Sequence, residues 1–139
     1  MGELNPNQQR HLVVTFRHVD DVLSRALHVL ERSDSPLSTY ISDGSPALRR
    51  TLAGQLEALR ARMLDVLEKE HIALPAADIS ARWGFQTALL TARTEFEEMR
   101  SRYLRGFGEV DGEAGRRVDR IVDELLAQID GMERALGGG

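Results

Sequence analysis

The chain has 139 residues, a net charge of −4 and no cysteine. Its length fits one domain able to bury its own core. The missing thiols exclude disulfides, a cysteine nucleophile and thiolate metal sites. The acidic balance excludes a general nucleic-acid binder, which needs many phosphate-neutralising cations on one face. Lys69 is the only lysine and every other cation is Arg, a bias read as base composition and pointing to a bacterial chain. No apolar run approaches the roughly 20 residues of a membrane span, so no membrane is expected and the chain reads as cytoplasmic. Gly2 reads as a cloning remnant, and Gly137-Gly138-Gly139 as a frayed end.

The first predicted helix covers residues 6–32. Asn5 can cap it, Pro6 suits its first position, and Gln8 sits where a capping box needs it. Leu12, Phe16, Val19, Leu23, Ala26 and Leu30 then alternate steps of four and three, with Val13 and Leu27 widening the stripe. The connection from Ser33 to Asp43 holds Pro36, Leu37, Tyr40 and Ile41. Its large apolar side chains predict that it folds back over one end of the core. The second helix, 46–71, opens at Ser45-Pro46, and its stripe is Leu48, Leu52, Leu56, Leu59, Met63 and Val66. Ile72 to Pro75 reads as the turn, and Asp78 or Ser80 as the next cap.

The third helix, 79–104, carries two apolar faces. Phe85, Leu89, Ala92, Phe96, Met99 and Tyr103 form the core stripe. Trp83 and Leu90 lie roughly 140–160° around the helix from Phe85, close to Thr87 and Thr94. Arg105-Gly106-Phe107-Gly108 ends this helix, with Phe107 expected to plug the bundle end. The fourth helix, 112–136, starts after Asp111, with a stripe of Ala114, Val118, Ile121, Leu125, Ile129, Met132 and Leu136. Gly115 and Gly131 cost it roughly 1 kcal/mol each against Ala. Four helices of similar length with short second and third connections give one all-α domain over 1–139. Its economical form is a single antiparallel up-down-up-down four-helix bundle; a swapped or side-by-side dimer of the same helices is the alternative.

Chemistry is sparse. His18, Asp21, Arg25 and His28 share a mostly polar face, which ordinary solvation explains. Glu68-Lys69-Glu70-His71 holds one Glu-x-x-His, but di-iron bundles need that motif twice, and the last two helices contain no His. No His has the Lys and small residues after it that an exposed phosphorelay His would have. Glu95, Glu97, Glu98, Asp119 and Asp123 are similar in kind to the acidic helices of all-α nucleotide pyrophosphatases, which chelate magnesium. Arg100, Arg102, Arg116 and Arg120 stand at pairing distance in sequence. No Gly-rich phosphate loop, nucleophile elbow or dinucleotide fingerprint occurs.

No catalytic, cofactor-binding or metal-ligating set is therefore expected. The reading from sequence is a non-enzymatic interaction module that pairs with itself as a homodimer, or with a helical protein partner. The interface candidates are Trp83, Thr87, Leu90 and Thr94, since Trp is a frequent anchor of such surfaces. Trp83 could instead be covered by the Tyr40/Ile41 loop or the N-terminal tail. The competing function is an anionic-ligand binder, or a metal-dependent hydrolase of the all-α type, with Arg82, Gln86, Arg93 and Arg100 on one flank of the third helix as ligand candidates.

Overall fold

A computed structural model describes residues 3–138, and every regular element in that range is helical. Gly2 and Gly139, read as remnant and frayed end, lie outside the described residues. The chain divides into two compact units, Met1–Ala76 and Ala77–Gly139.

The first unit pairs α1 (Pro6–Arg32) with α2 (Pro46–Lys69). The Asn5 side chain accepts the Gln8 N–H at 2.9 Å and Gln8 Oε1 accepts the Asn5 N–H at 2.9 Å, closing the capping box. Ser45 accepts the Leu48 N–H at 3.1 Å and caps α2. The helices run antiparallel, because Val13 packs with Leu67 at one end while Arg49 meets Asp34 at the other. Between these ends, the Arg60 guanidinium binds Asp20 and donates to Ser24 Oγ at 2.5 Å.

α2 ends earlier than residue 71. Its exit is a Schellman turn: the His71 N–H donates to Glu68 O at 3.1 Å and the Ile72 N–H to Leu67 O at 2.8 Å. His71 takes the left-handed position with φ 58°, usually a glycine's place. The turn carries Ile72 into the core with Val13 and Leu67. Sequence pattern treats Ile72 as connection; the turn makes it core.

The loop between α1 and α2 does not cover a core. Leu37, Tyr40 and Ile41 are 94%, 56% and 85% exposed. Polar contacts hold the loop instead: Asp34 grips Arg49 with two hydrogen bonds of 2.6 and 2.9 Å, and Ser42 donates to Asp34. Arg49 also donates to Gly44 O at 2.8 Å.

The second unit contains α3 (Ala81–Glu97), the short α4 (Ser101–Leu104), a 3-10 turn at Arg105–Phe107, and α5 (Gly112–Gly138). Ser80 caps α3 through the Trp83 N–H at 3.2 Å. Asp111 accepts the Glu113 N–H at 2.7 Å at the start of α5. The fourth long helix keeps Gly137 and Gly138 helical rather than frayed.

The continuous helix expected to residue 104 breaks after Glu97. Arg100 turns extended, at φ −57° and ψ 151°. The cause sits on α5. Asp119 accepts the Ser101 N–H at 2.8 Å with one oxygen and the Ser101 hydroxyl at 2.8 Å with the other. Gly115 makes room for this, since a Cβ there would stand 3.2 Å from Ser101 Cβ. The break removes Tyr103 from the α3 stripe, leaving it 46% exposed. Phe107 is 92% exposed and plugs nothing.

Each apolar arc is covered along one edge only. On α5 the buried positions are Gly115, Val122, Leu126 and Ile129, while Ile121 and Met132 of the predicted stripe are 48% and 47% exposed. On α3 only Leu89 is buried and Phe85 is 50% exposed, while Met99, just past the helix end, is 40% exposed. In the first unit Leu23, Leu27 and Leu30 of α1 and Leu52, Leu56 and Leu59 of α2 line an open groove of about 410 Å³. The accessible surface totals 10898 Å². Within each unit, the contact between its own helices thus leaves part of each apolar arc outside it.

Candidate interaction surface

α3 presents three sides. Leu89, Arg93 and Phe96 turn toward α5, as the ion pair of Arg93 with Asp130 requires, and Arg100, just past the end of α3, pairs with Asp123. Phe85 and Ala92 lie at the edge of that contact. Trp83 and Leu90 lie on the other side, about 100–120° around from Leu89. They are 61% and 62% exposed. Ser80 fixes the start of this flank, and the helical period then places Thr87 and Thr94 beside them.

The two threonines change the character of the flank. Thr87 Oγ1 donates to Trp83 O at 3.0 Å, and Thr94 Oγ1 to Leu90 O at 3.1 Å. Their hydroxyls are bound to the helix's own carbonyls, four residues back. Covering the flank would strand no hydroxyl donor, which removes a desolvation penalty of about 1–3 kcal/mol for each unmet group. Sequence spacing places these residues together; it does not show where the hydroxyls go.

No protein-family model, characterised protein or solved structure matches this chain.

The ligand candidates do not converge as free cations. Arg93 is bound by Asp130 and by Glu133 at 3.3 Å, and the Asp130 hydrogen bond holds its guanidinium firmly charged. Arg100 binds Glu97 at 2.7 Å and Asp123 at 2.9 Å. Arg82 and Gln86 are exposed on the N-terminal turns of α3. An arriving anion would have to displace carboxylates from two of the four.

The acidic residues are likewise engaged. The Arg100 hydrogen bond lowers the Glu97 pKa, and the Ser101 N–H and hydroxyl lower that of Asp119. Among the described residues, no group of three His, Asp or Glu side chains could hold a metal ion. His11, His18, His28 and His71 are all exposed.

Sequence reasoning missed three features here. The Arg93–Asp130 and Arg100–Asp123 pairs join positions 37 and 23 residues apart, so no local spacing announces them. The Asp119 grip on Ser101 has the same origin. Gly115 was visible as an anomaly in a helix, and that anomaly marks where another backbone comes close.

Proposed function

We propose that this chain is a non-enzymatic helical interaction module that associates with a second copy of itself through α3. The observation that carries the reading is the Trp83–Leu90 flank, 61% and 62% exposed at its two large side chains and closed in its own hydroxyl bonding. An exposed Trp and Leu on one flank, two helical turns apart, are the kind of side chains that mark interfaces.

The finer architecture belongs to the same reading. The four long amphipathic helices, α1, α2, α3 and α5, support reading the fold as a single antiparallel four-helix bundle. A cysteine-free chain suits the cytoplasm.

Sedimentation velocity on the wild type and on Trp83→Ala tests this, from low to high micromolar. The wild type should shift toward dimer with concentration, and the variant should remain monomeric with unchanged helicity. Trp83 has 39% of its surface covered (100% less the 61% exposed), roughly 100 Å². The variant should therefore lose about 2.5 kcal/mol of stability or less, below the roughly 3–5 kcal/mol of an emptied core site. A wild type that stays monomeric at high micromolar concentration overturns the proposal. A thermal-shift screen with phosphates, nucleotides and divalent cations covers the ligand-binding alternative, since a specific ligand in excess adds a few kcal/mol.

A further inference from the structure

We infer that the bend between α3 and α4 is a latched hinge. Asp119 of α5 holds it closed through Ser101, and rotation at Arg100 joins α3 and α4 into one helix. The hinge goes beyond the self-association proposed above and does not depend on it.

The first support is local sequence. Between residues 85 and 104 the chain has neither Gly nor Pro, and Phe96, Met99 and Tyr103 keep the helical spacing across the bend. Nothing inside the segment stops a helix. The second support is backbone geometry. Up to the bend the chain is still helix-like: Glu98 has φ −71° and ψ −10°. The Met99 and Arg100 N–H groups donate three residues back, to Phe96 O at 3.0 Å and Glu97 O at 3.2 Å. Past the bend, α4 is helical again. The departure is the Arg100 ψ of 151°, against about −42° in a helix. Hinges place a large dihedral change on very few residues in this way.

The third support is register. Arg93 pairs with Asp130, and Arg100, seven residues on, pairs with Asp123, seven residues back. The chain therefore keeps level with α5 right up to the bend. Continued as one helix, Leu104, four residues after Arg100, would come level with Asp119, four before Asp123. Residues 105–111 would then have to reach Gly112, about 10 Å further along the axis. Seven residues can span about 23 Å, so the connection permits the straight form. There the Ser101 N–H donates to Glu97 O, as a helix requires. Tyr103, two turns after Phe96, returns to the edge that faces α5. In the bent form Tyr103 is 46% exposed, with the Arg102 guanidinium carbon 4.8 Å from its ring centre.

What the bent form has in exchange is the latch. Asp119 accepts the Ser101 N–H and hydroxyl, both at 2.8 Å, and hydrogen bonds to a charged acceptor are the strong ones. Local sequence favours one state and a tertiary contact the other, the conflict that makes a two-state element. Releasing Ser101 lengthens α3 by two turns and withdraws Tyr103 from the surface.

The Cα chemical shift of Arg100 reads the hinge, since extended and helical backbone move it in opposite directions. Wild type should show the extended value. Asp119→Ala should move Arg100 and Ser101 to helical values. Its straight population should rise at least about tenfold, the factor that one charge-assisted hydrogen bond is worth. Asp119→Asn keeps one accepting oxygen and should raise that population less, by several-fold. Unchanged shifts over residues 81–96 and 122–129 report that the helical pair stays folded. A wild type already helical at Arg100 overturns the latch, and so does a folded Asp119→Ala chain as extended there as wild type. Where Asp119→Ala does not fold, Asp119→Asn decides: an Arg100 as extended as in wild type overturns the latch.

Discussion

Replacing Gly115 with Ala should destabilise the protein, although Ala is the better helix former. The intrinsic gain is up to about 1 kcal/mol for a Gly→Ala change inside a helix. Against it stands Ser101, whose Cβ would lie 3.2 Å from the new Cβ, with Val110 Cγ1 at 3.5 Å. Ser101 cannot simply retreat, because Asp119 holds its N–H and its hydroxyl, both at 2.8 Å. Hydrogen bonds to a charged group are worth about 1.5–3 kcal/mol each. Loosening one of them outweighs the propensity gain and leaves a net loss of about 0.5–2 kcal/mol. Gly54→Ala is the control. Nothing lies within 4 Å of a Cβ at Gly54, so that variant should gain up to about 1 kcal/mol. Urea unfolding followed by circular dichroism reads both. In a Ser101→Gly background the Gly115 effect should turn favourable, since the clashing Cβ is gone. If Gly115→Ala stabilises the wild-type background as much as Gly54→Ala does, the account of the helix break fails.

Two further expectations concern the first unit. Arg49 first, and then Ser42, lower the Asp34 carboxyl to a pKa of about 2 from an ordinary 3.8. The folded chain thus binds this proton less readily than the unfolded chain, and the stabilisation is complete above about pH 4 and lost as pH falls through about 2. Asp34→Asn should unfold at lower urea than wild type at pH 6, with the gap closing on acidification; a constant gap from pH 6 to pH 2 would contradict the Asp34–Arg49 clasp. His71→Gly should raise stability by about 0.5–1 kcal/mol, because φ 58° strains any L-residue by about 1–2 kcal/mol and glycine's unfolded-state entropy returns only part of that. A urea midpoint below wild type would show that His71 makes a contact of greater worth than the strain.

Local chemistry determined the helical elements. Asn5 with Gln8, Ser45 with Pro46, Ser80 and Asp111 announce four helix starts because each cap bonds within three residues of itself. The four-three spacing also placed Trp83, Thr87, Leu90 and Thr94 on one flank, since helical period alone sets that. Tertiary structure decided the rest. Asp119 reaches back 18 residues to stop α3, overriding a stripe that reads as unbroken to Tyr103. The Schellman turn moved Ile72 from connection to core. Each helix's partner decided which edge of its apolar arc is covered, so that Val122 is buried while Ile121 beside it is exposed. An amphipathic pattern fixes the direction of an apolar arc but not which neighbour covers it; that depends on where another part of the chain comes to lie.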